Sequence, residues 1–231
     1  MIRAVLWDID GTLLNFLKAE EAGVRKCFEI FDLGPCTDEM IRDYSSINDR
    51  YWKRLERGEM TRPQILVGRF TEFMKKYNID TSVAEAFNQE YQIRLGDTIC
   101  FQEHAIETLT ALKGKVVQCA VTNGTRTAQE RKLRRSGMDR IFDYIFISED
   151  IGIEKPDIGF FETVFAKIGP FQRDEILIVG DSLTSDMQGG INAGIRTCWF
   201  NPEGKANTKD FEIDYTIRDL AQVKEICKEA L

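Results

Sequence analysis

Apolar residues gather at the start of the chain, at Ile2 and in the run Ala4-Val5-Leu6-Trp7, and read as one short buried strand. After Thr12 the spacing turns helical and stays helical to about residue 95. Four helices are predicted there, over residues 16–31, 37–57, 61–77 and 81–95, with Gly34-Pro35, Gly58 and Gly96 as stops and Thr37 and Thr61 as starts. Tyr51, Trp52, Phe70, Phe73, Phe87 and Tyr91 recur at helical intervals, as the core of a small bundle would. From Glu103 onward, helical patterns alternate with β-rich runs at 116–121, 144–147, 176–179 and 195–200, followed by a weaker run at 213–217 and a helix from Asp219. That alternation predicts an α/β fold built on a doubly wound parallel sheet. The first strand must join the sheet from across the helical stretch. The division expected is therefore an α/β core of residues 1–15 and 96–231, with a helical cap of residues 16–95 inserted in it. Ligands of open α/β sheets bind outside the carboxyl ends of the strands, which is where the insertion leaves the core.

Polar residues collect at those strand ends. Asp8 and Asp10 follow the first strand and point to the same side while the chain stays extended, and Gly11 permits the turn beyond them. Such a pair can give one acid a covalent role and the other a proton-transfer role, although Asp-Gly by itself is also a common turn. Val121-Thr122-Asn123-Gly124 offers a hydroxyl, an amide and backbone donors just before a helix, a setting that can hold a phosphate. Lys155 sits in Glu154-Lys155-Pro156, and Asp181 and Asp186 follow the strand that ends at Gly180. Asp181 alone would pass for a helix cap. A cap does not explain why acids, hydroxyl, amide and lysine all lie at the strand exits of one sheet.

With 231 residues, 43% of them apolar, the chain can bury a sizeable core, and a net charge of −7 argues against a nucleic acid polymer as partner. The basic run Arg131-Lys132-Leu133-Arg134-Arg135 lies in a helical pattern and is read as a solvated helix face. Six cysteines without Cys-x-x-Cys spacing, and a single histidine, His104, make a zinc site unexpected and reduced thiols the simplest reading. No stretch is apolar enough to span a membrane, and Asp8 is reached too soon for a secretory leader, so a cytoplasmic protein is expected.

The order Asp-x-Asp-Gly-Thr, Thr-Asn-Gly, Lys-Pro and Gly-Asp-x4-Asp resembles the haloacid dehalogenase-like (HAD) hydrolase superfamily across the whole core. Trp52, Gly58-Glu59-Met60-Thr61 before Arg69-Phe70, Ile147-Ser148-Glu149-Asp150, Gly189-Gly190-Ile191-Asn192-Ala193-Gly194 and Thr197-Cys198-Trp199 further resemble the YjjG-type branch, the pyrimidine 5′-nucleotidases. The resemblance implies a Mg²⁺-dependent phosphomonoester hydrolase working through an aspartyl-phosphate, with a nucleoside 5′-monophosphate as substrate and a monomer or weak homodimer as its state. It implies Asp8 as nucleophile, Asp10 as general acid and base, and Thr122, Asn123 and Lys155 as phosphate ligands. The metal set it implies is Asp8, Asp10 through its main-chain carbonyl, Asp181, and Asp186 through water. Electrostatics also ask for a cation, since two like charges about 4 Å apart cost on the order of 4 kcal/mol at an effective dielectric of 20. A sugar-phosphate phosphatase or phosphoglucomutase of the same superfamily is the nearest alternative. A haloacid dehalogenase has no use for Asp10, and a phosphoryl-accepting signalling domain lacks the helical insertion. Substrate choice is left to the helical stretch, where Phe16, Trp52, Arg54 and Arg69 are the candidates to touch a base.

Overall fold

The computed structural model describes residues 1–228. Six strands form one parallel sheet in the order β3-β2-β1-β4-β5-β6: β1 (Ala4–Trp7), β2 (Val117–Thr122), β3 (Tyr144–Ile147), β4 (Ile176–Gly180), β5 (Arg196–Phe200) and β6 (Tyr215–Ile217). The fold is thus the α/β, doubly wound, Rossmann-like sheet that the alternating pattern predicts. All four residues of β1 are buried, because the strand lies between β2 and β4 with helices on both faces. Val5 and Trp7 face a cluster that also takes in Ala105, Leu109, Leu133 and Val223, whereas Ala4 and Leu6 face Phe160, Phe161 and Val164. The chain order reverses between β1 and β4, which is where such sheets open a ligand crevice.

Directly after β1 the chain forms a bundle of four helices: α1 (Phe16–Ile30), α2 (Asp38–Glu56), α3 (Arg62–Lys76) and α4 (Ala84–Asp97). Asn15 caps α1 by accepting from the Lys18 amide, and Thr37 does the same for α2 from Met40. Their shared interior is aromatic: Tyr44, Phe70, Phe73, Phe87 and Tyr91 are fully buried, and Tyr44 stacks on Phe70 with ring centres 4.9 Å apart. Trp52 departs from its expected place in that core, since it is only partly buried and lines the cleft above the sheet. On the sheet side follow α5 (Ala105–Leu112), α6 (Arg126–Ser136), α7 (Ser148–Ile151), α8 (Ile158–Ile168), α9 (Gln188–Ala193) and α10 (Val223–Lys228). Among the described residues no helix is long and apolar enough to cross a membrane, and the six cysteines carry no disulfide.

A polar seam crosses the four-helix segment. Asn48 donates to Glu20 at 2.7 Å and accepts from Arg69 at 2.6 Å, Ser45 also donates to Glu20, and Asn88 accepts from both Arg69 (3.1 Å) and Gln92 (3.0 Å). Burial pushes the Glu20 carboxyl up to about 7, against the donors from Ser45 and Asn48 and the charge of Arg69. The folded protein therefore holds a proton that the unfolded chain releases, so this group's contribution to stability falls as pH rises from the ordinary glutamate value, about 4.3, to about 7. We predict that Glu20→Gln gains on the order of 1–3 kcal/mol over the parent between about pH 5 and about pH 8, measured by urea unfolding. An equal difference at both pH values would mean that Glu20 does not titrate in that window.

Candidate active site

β1 delivers Asp8 to the crevice beside the ends of β2 and β4, and it is 7% exposed. Lys155, fully enclosed, donates its three protons to Asp8 Oδ1 (2.9 Å), Asp186 Oδ1 (2.6 Å) and the Val121 carbonyl (2.9 Å). Burial works against this ammonium, but Asp186 and Asp8 outweigh it and hold its pKa above the ordinary lysine range. The loop that carries Lys155 is tied to the end of β2 by Asn123, whose amide donates to the Lys155 carbonyl (2.8 Å) and accepts from the Lys155 N–H (2.9 Å). The Asn123 side chain is thus engaged in joining two loops. Thr122 Oγ1 accepts from the Gly124 amide at 3.0 Å, which leaves its own proton to give.

Asp181 follows β4, and Asp186 lies in a π-helical turn, Leu183–Met187, that begins after Ser182. Both Asp186 oxygens are occupied, one by Lys155 and the other by the Ser182 amide at 3.1 Å. Trp199 holds the Asp181 carbonyl at 2.9 Å, and the Thr12 hydroxyl accepts from the Asp181 amide at 3.0 Å. The Thr12 proton lies within reach of both Asp8 Oδ2 (3.1 Å) and Asp181 Oδ1 (3.2 Å). Gly11, at φ 97°, makes this approach possible, because a Cβ there would stand 2.5 Å from Asp181 Oδ2.

Asp8, Asp181 and Asp186 each present an oxygen within 4.8 Å of the others. Burial raises the Asp8 carboxyl to about 7, Lys155 opposing and Asp186 adding to the effect. Asp181 faces the open cavity, yet the enclosing walls and its neighbours Asp8 and Asp186 lift it well above the usual carboxylate range. One lysine does not neutralise three acids. The donor set of crowded, hard carboxylate oxygens fits a divalent cation such as Mg²⁺.

Asp10 carries a pair of partners that the strand-end pattern did not disclose. Lys132 of α6 forms an ion pair with its Oδ1, and Gln129 of the same helix donates to Oδ2 at 2.6 Å. Lys132 is fully buried, so the reading of residues 131–135 as a solvated face is corrected at this position: Arg131, Arg134 and Arg135 line the outer surface while Lys132 points inward. Gly124 leaves room for the Gln129 amide, which any Cβ at that position would strike.

The helical segment closes over these groups through side chains from several of its helices. Thr184 donates to Glu56 at 2.6 Å, Thr125 to Gln92 at 2.7 Å, and Arg62 reaches the Asn123 carbonyl (2.9 Å), Ser148 (2.6 Å) and Glu154 (3.0 Å). Glu56, raised by burial to about 7, lines the same cavity as Asp8. That cavity, of about 180 Å³, is walled on the helical side by Phe16, Trp52, Arg69 and Gln92. Of the candidates for substrate contact, Arg54 alone stays outside it, over the Tyr51 ring and paired with Glu59 at 3.5 Å.

A crevice at the carboxyl ends of a doubly wound sheet, holding an Asp-x-Asp pair, a lysine and a second acid cluster under a helical insertion, defines the class. Residues 5–200 match the family of haloacid dehalogenase-like hydrolases, and the chain belongs to that family. It is 36% identical to YfnB of Bacillus subtilis (strain 168) over 97% of this chain and 94% of that one. The crystal structure of YfnB bound to magnesium superposes with a TM-score of 0.91 at 35% identity, covering 98% of both chains. The pyrimidine 5′-nucleotidase PynA of Streptococcus pneumoniae is 31% identical over 92% of this chain and 90% of its own length. The pyrimidine 5′-nucleotidase YjjG of Escherichia coli (strain K12) is 28% identical over 97% of both.

Removing Lys132 leaves the Asp10 carboxylate without its charged partner. Lys132→Met is expected to lower the unfolding free energy by about 1–3 kcal/mol, and adding Asp10→Asn to recover part of that loss. A loss under about 0.5 kcal/mol, or no recovery in the double variant, would show that Asp10 does not depend on this lysine.

Proposed function

We propose that the protein is a Mg²⁺-dependent phosphomonoester hydrolase that acts on nucleoside 5′-monophosphates through an aspartyl-phosphate on Asp8. The observation that carries the reading is the Asp8 carboxylate at the crevice, bonded to Lys155 at 2.9 Å with the oxygens of Asp181 and Asp186 within 4.8 Å. In this reading Asp8 attacks phosphorus in line with the leaving ester oxygen, and water then releases the phosphate from Asp8. Asp10 stands two residues further along, to give a proton to the leaving oxygen from its protonated form and then, as the carboxylate held by Lys132 and Gln129, to take one from the attacking water. Thr122 has a hydroxyl proton free for a phosphoryl oxygen, and Lys155 keeps a positive charge beside Asp8. Asn123 shapes the phosphate loop through Lys155, which leaves main-chain donors for the phosphate itself.

Asp8, Asp181 and the Asp10 main-chain carbonyl would hold the metal, with Asp186 acting through water, a role that suits a carboxylate whose two oxygens already have partners. Bound Mg²⁺ supplies positive charge against the clustered carboxylates and the phosphate. Residues 16–95 serve as the cap, since they roof the cavity and carry Phe16, Trp52 and Arg69 into it. The nucleotide assignment rests on YjjG and PynA together with this flat-walled, guanidinium-bearing roof.

Purified protein is expected to hydrolyse p-nitrophenyl phosphate in Mg²⁺ and to lose that activity on chelation. Asp8→Asn should reduce turnover by at least about 10³-fold while leaving the circular dichroism spectrum unchanged. An active Asp8→Asn protein would remove Asp8 as nucleophile. Across a panel of nucleoside monophosphates and sugar phosphates, the highest kcat/KM is expected for a pyrimidine nucleotide, and a sugar phosphate in that place would overturn the nucleotidase assignment.

A further inference from the structure

Arg69 is 1% exposed, and no carboxylate among the described residues forms an ion pair with it. Its acceptors are all neutral: the Leu66 carbonyl at 3.4 Å and the side-chain oxygens of Asn48 (2.6 Å) and Asn88 (3.1 Å). A guanidinium has five N–H groups, and these three bonds leave one on each terminal nitrogen without an acceptor among the described residues. The group is nonetheless held firmly. It lies over Trp52, Phe70 and Tyr91, with ring centres 5.9, 5.0 and 5.3 Å from its carbon. A buried guanidinium that is fixed in place, lacks a carboxylate partner and retains free donors is incomplete as a purely structural element.

Arg69 also borders the catalytic cavity. Arg69 lines the same space as Asp8, Asp10 and Thr122, from the opposite wall, beside the flat rings of Phe16 and Trp52. Asn48 links Arg69 to Glu20, so the cation already has an acid at one remove. That arrangement suits a neutral oxygen acceptor better than a second phosphate. The acceptors Arg69 already uses are amide carbonyls, and a planar ring bearing carbonyl oxygens presents the same chemistry with a face for the aromatic wall.

Resting on the phosphatase reading above, we propose that Arg69 is the specificity-determining residue of this site. Its free N–H groups bind a ring carbonyl of a pyrimidine nucleotide while the phosphate lies at Asp8. Sites built to hydrogen-bond a substrate group discriminate strongly against analogues that lack it. Ribose 5-phosphate is such an analogue of uridine 5′-monophosphate, with the same phosphate and sugar but no base.

The test is the ratio of kcat/KM for uridine 5′-monophosphate to that for ribose 5-phosphate, measured on one preparation in Mg²⁺ so that the fraction of folded protein cancels. The parent should favour the nucleotide, and Arg69→Met should lower the ratio by at least about 10-fold. Arg69→Lys, which keeps the charge and loses the fork, should lower the ratio by at least about 3-fold, less than the methionine variant does, and serves where that variant is poorly folded. A ratio within about 2-fold of the parent's in either variant overturns the proposal while leaving the nucleotidase reading intact. A parent that favours ribose 5-phosphate overturns that reading and this proposal together. A parent without turnover of p-nitrophenyl phosphate overturns the phosphatase reading itself.

Discussion

The Lys155 ammonium is the point on which the site depends. Its three bonds join the end of β1 through Asp8, the end of β2 through the Val121 carbonyl, and the turn after β4 through Asp186. Three strands that are separated in sequence are thereby fixed at their crevice ends by one cation. Without it, Asp8 and Asp186 would face each other as buried acids with no side-chain cation between them, a far more costly arrangement than the loss of a surface ion pair. The reciprocal bonds between Asn123 and the Lys155 backbone extend the same tie, so the loop after β2 and the lysine are set by one geometry.

The core was legible because its signals are local. Buried strands of a parallel sheet show as short apolar runs, and the polar residues that follow each run are displayed where strands end, so Asp8, Asp10, Thr122, Lys155, Asp181 and Asp186 could be gathered without coordinates. Lys132 and Gln129 were harder to find, because a basic run on a helix says nothing by itself of which side faces the protein. Their signal lay in phase rather than composition: Thr125 caps α6, and Gln129 and Lys132 follow it at the fourth and seventh positions, on one face. Arg131, Arg134 and Arg135, out of phase with that face, remain on the surface.

Contacts of the helical segment with the sheet were not legible at all. Glu56 meets Thr184, Arg62 meets Asn123 and Glu154, and Gln92 meets Thr125 only because two separately packed bodies come together in one orientation. No periodicity encodes that orientation. The same limit explains Trp52, whose spacing marks it as core but whose ring turns to the cleft, and Arg54, whose neighbourhood suggested a ligand contact and which points away.

The kind of contact at that boundary differs from the packing on either side of it. The aromatic interior of the helical segment is almost self-contained, with Ala128 of α6 the one buried residue among those described that it takes from beyond α4. The seam above the active site is instead held by Arg62, Glu56 and Gln92, groups whose bonds water can replace. Parting the two bodies there would exchange hydrogen bonds with solvent and, apart from the place of Ala128, leave both apolar interiors closed. Arg62 would then release the Asn123 carbonyl and Gln92 the Thr125 hydroxyl, so that the loop after β2 registers the position of the helical segment through two side chains.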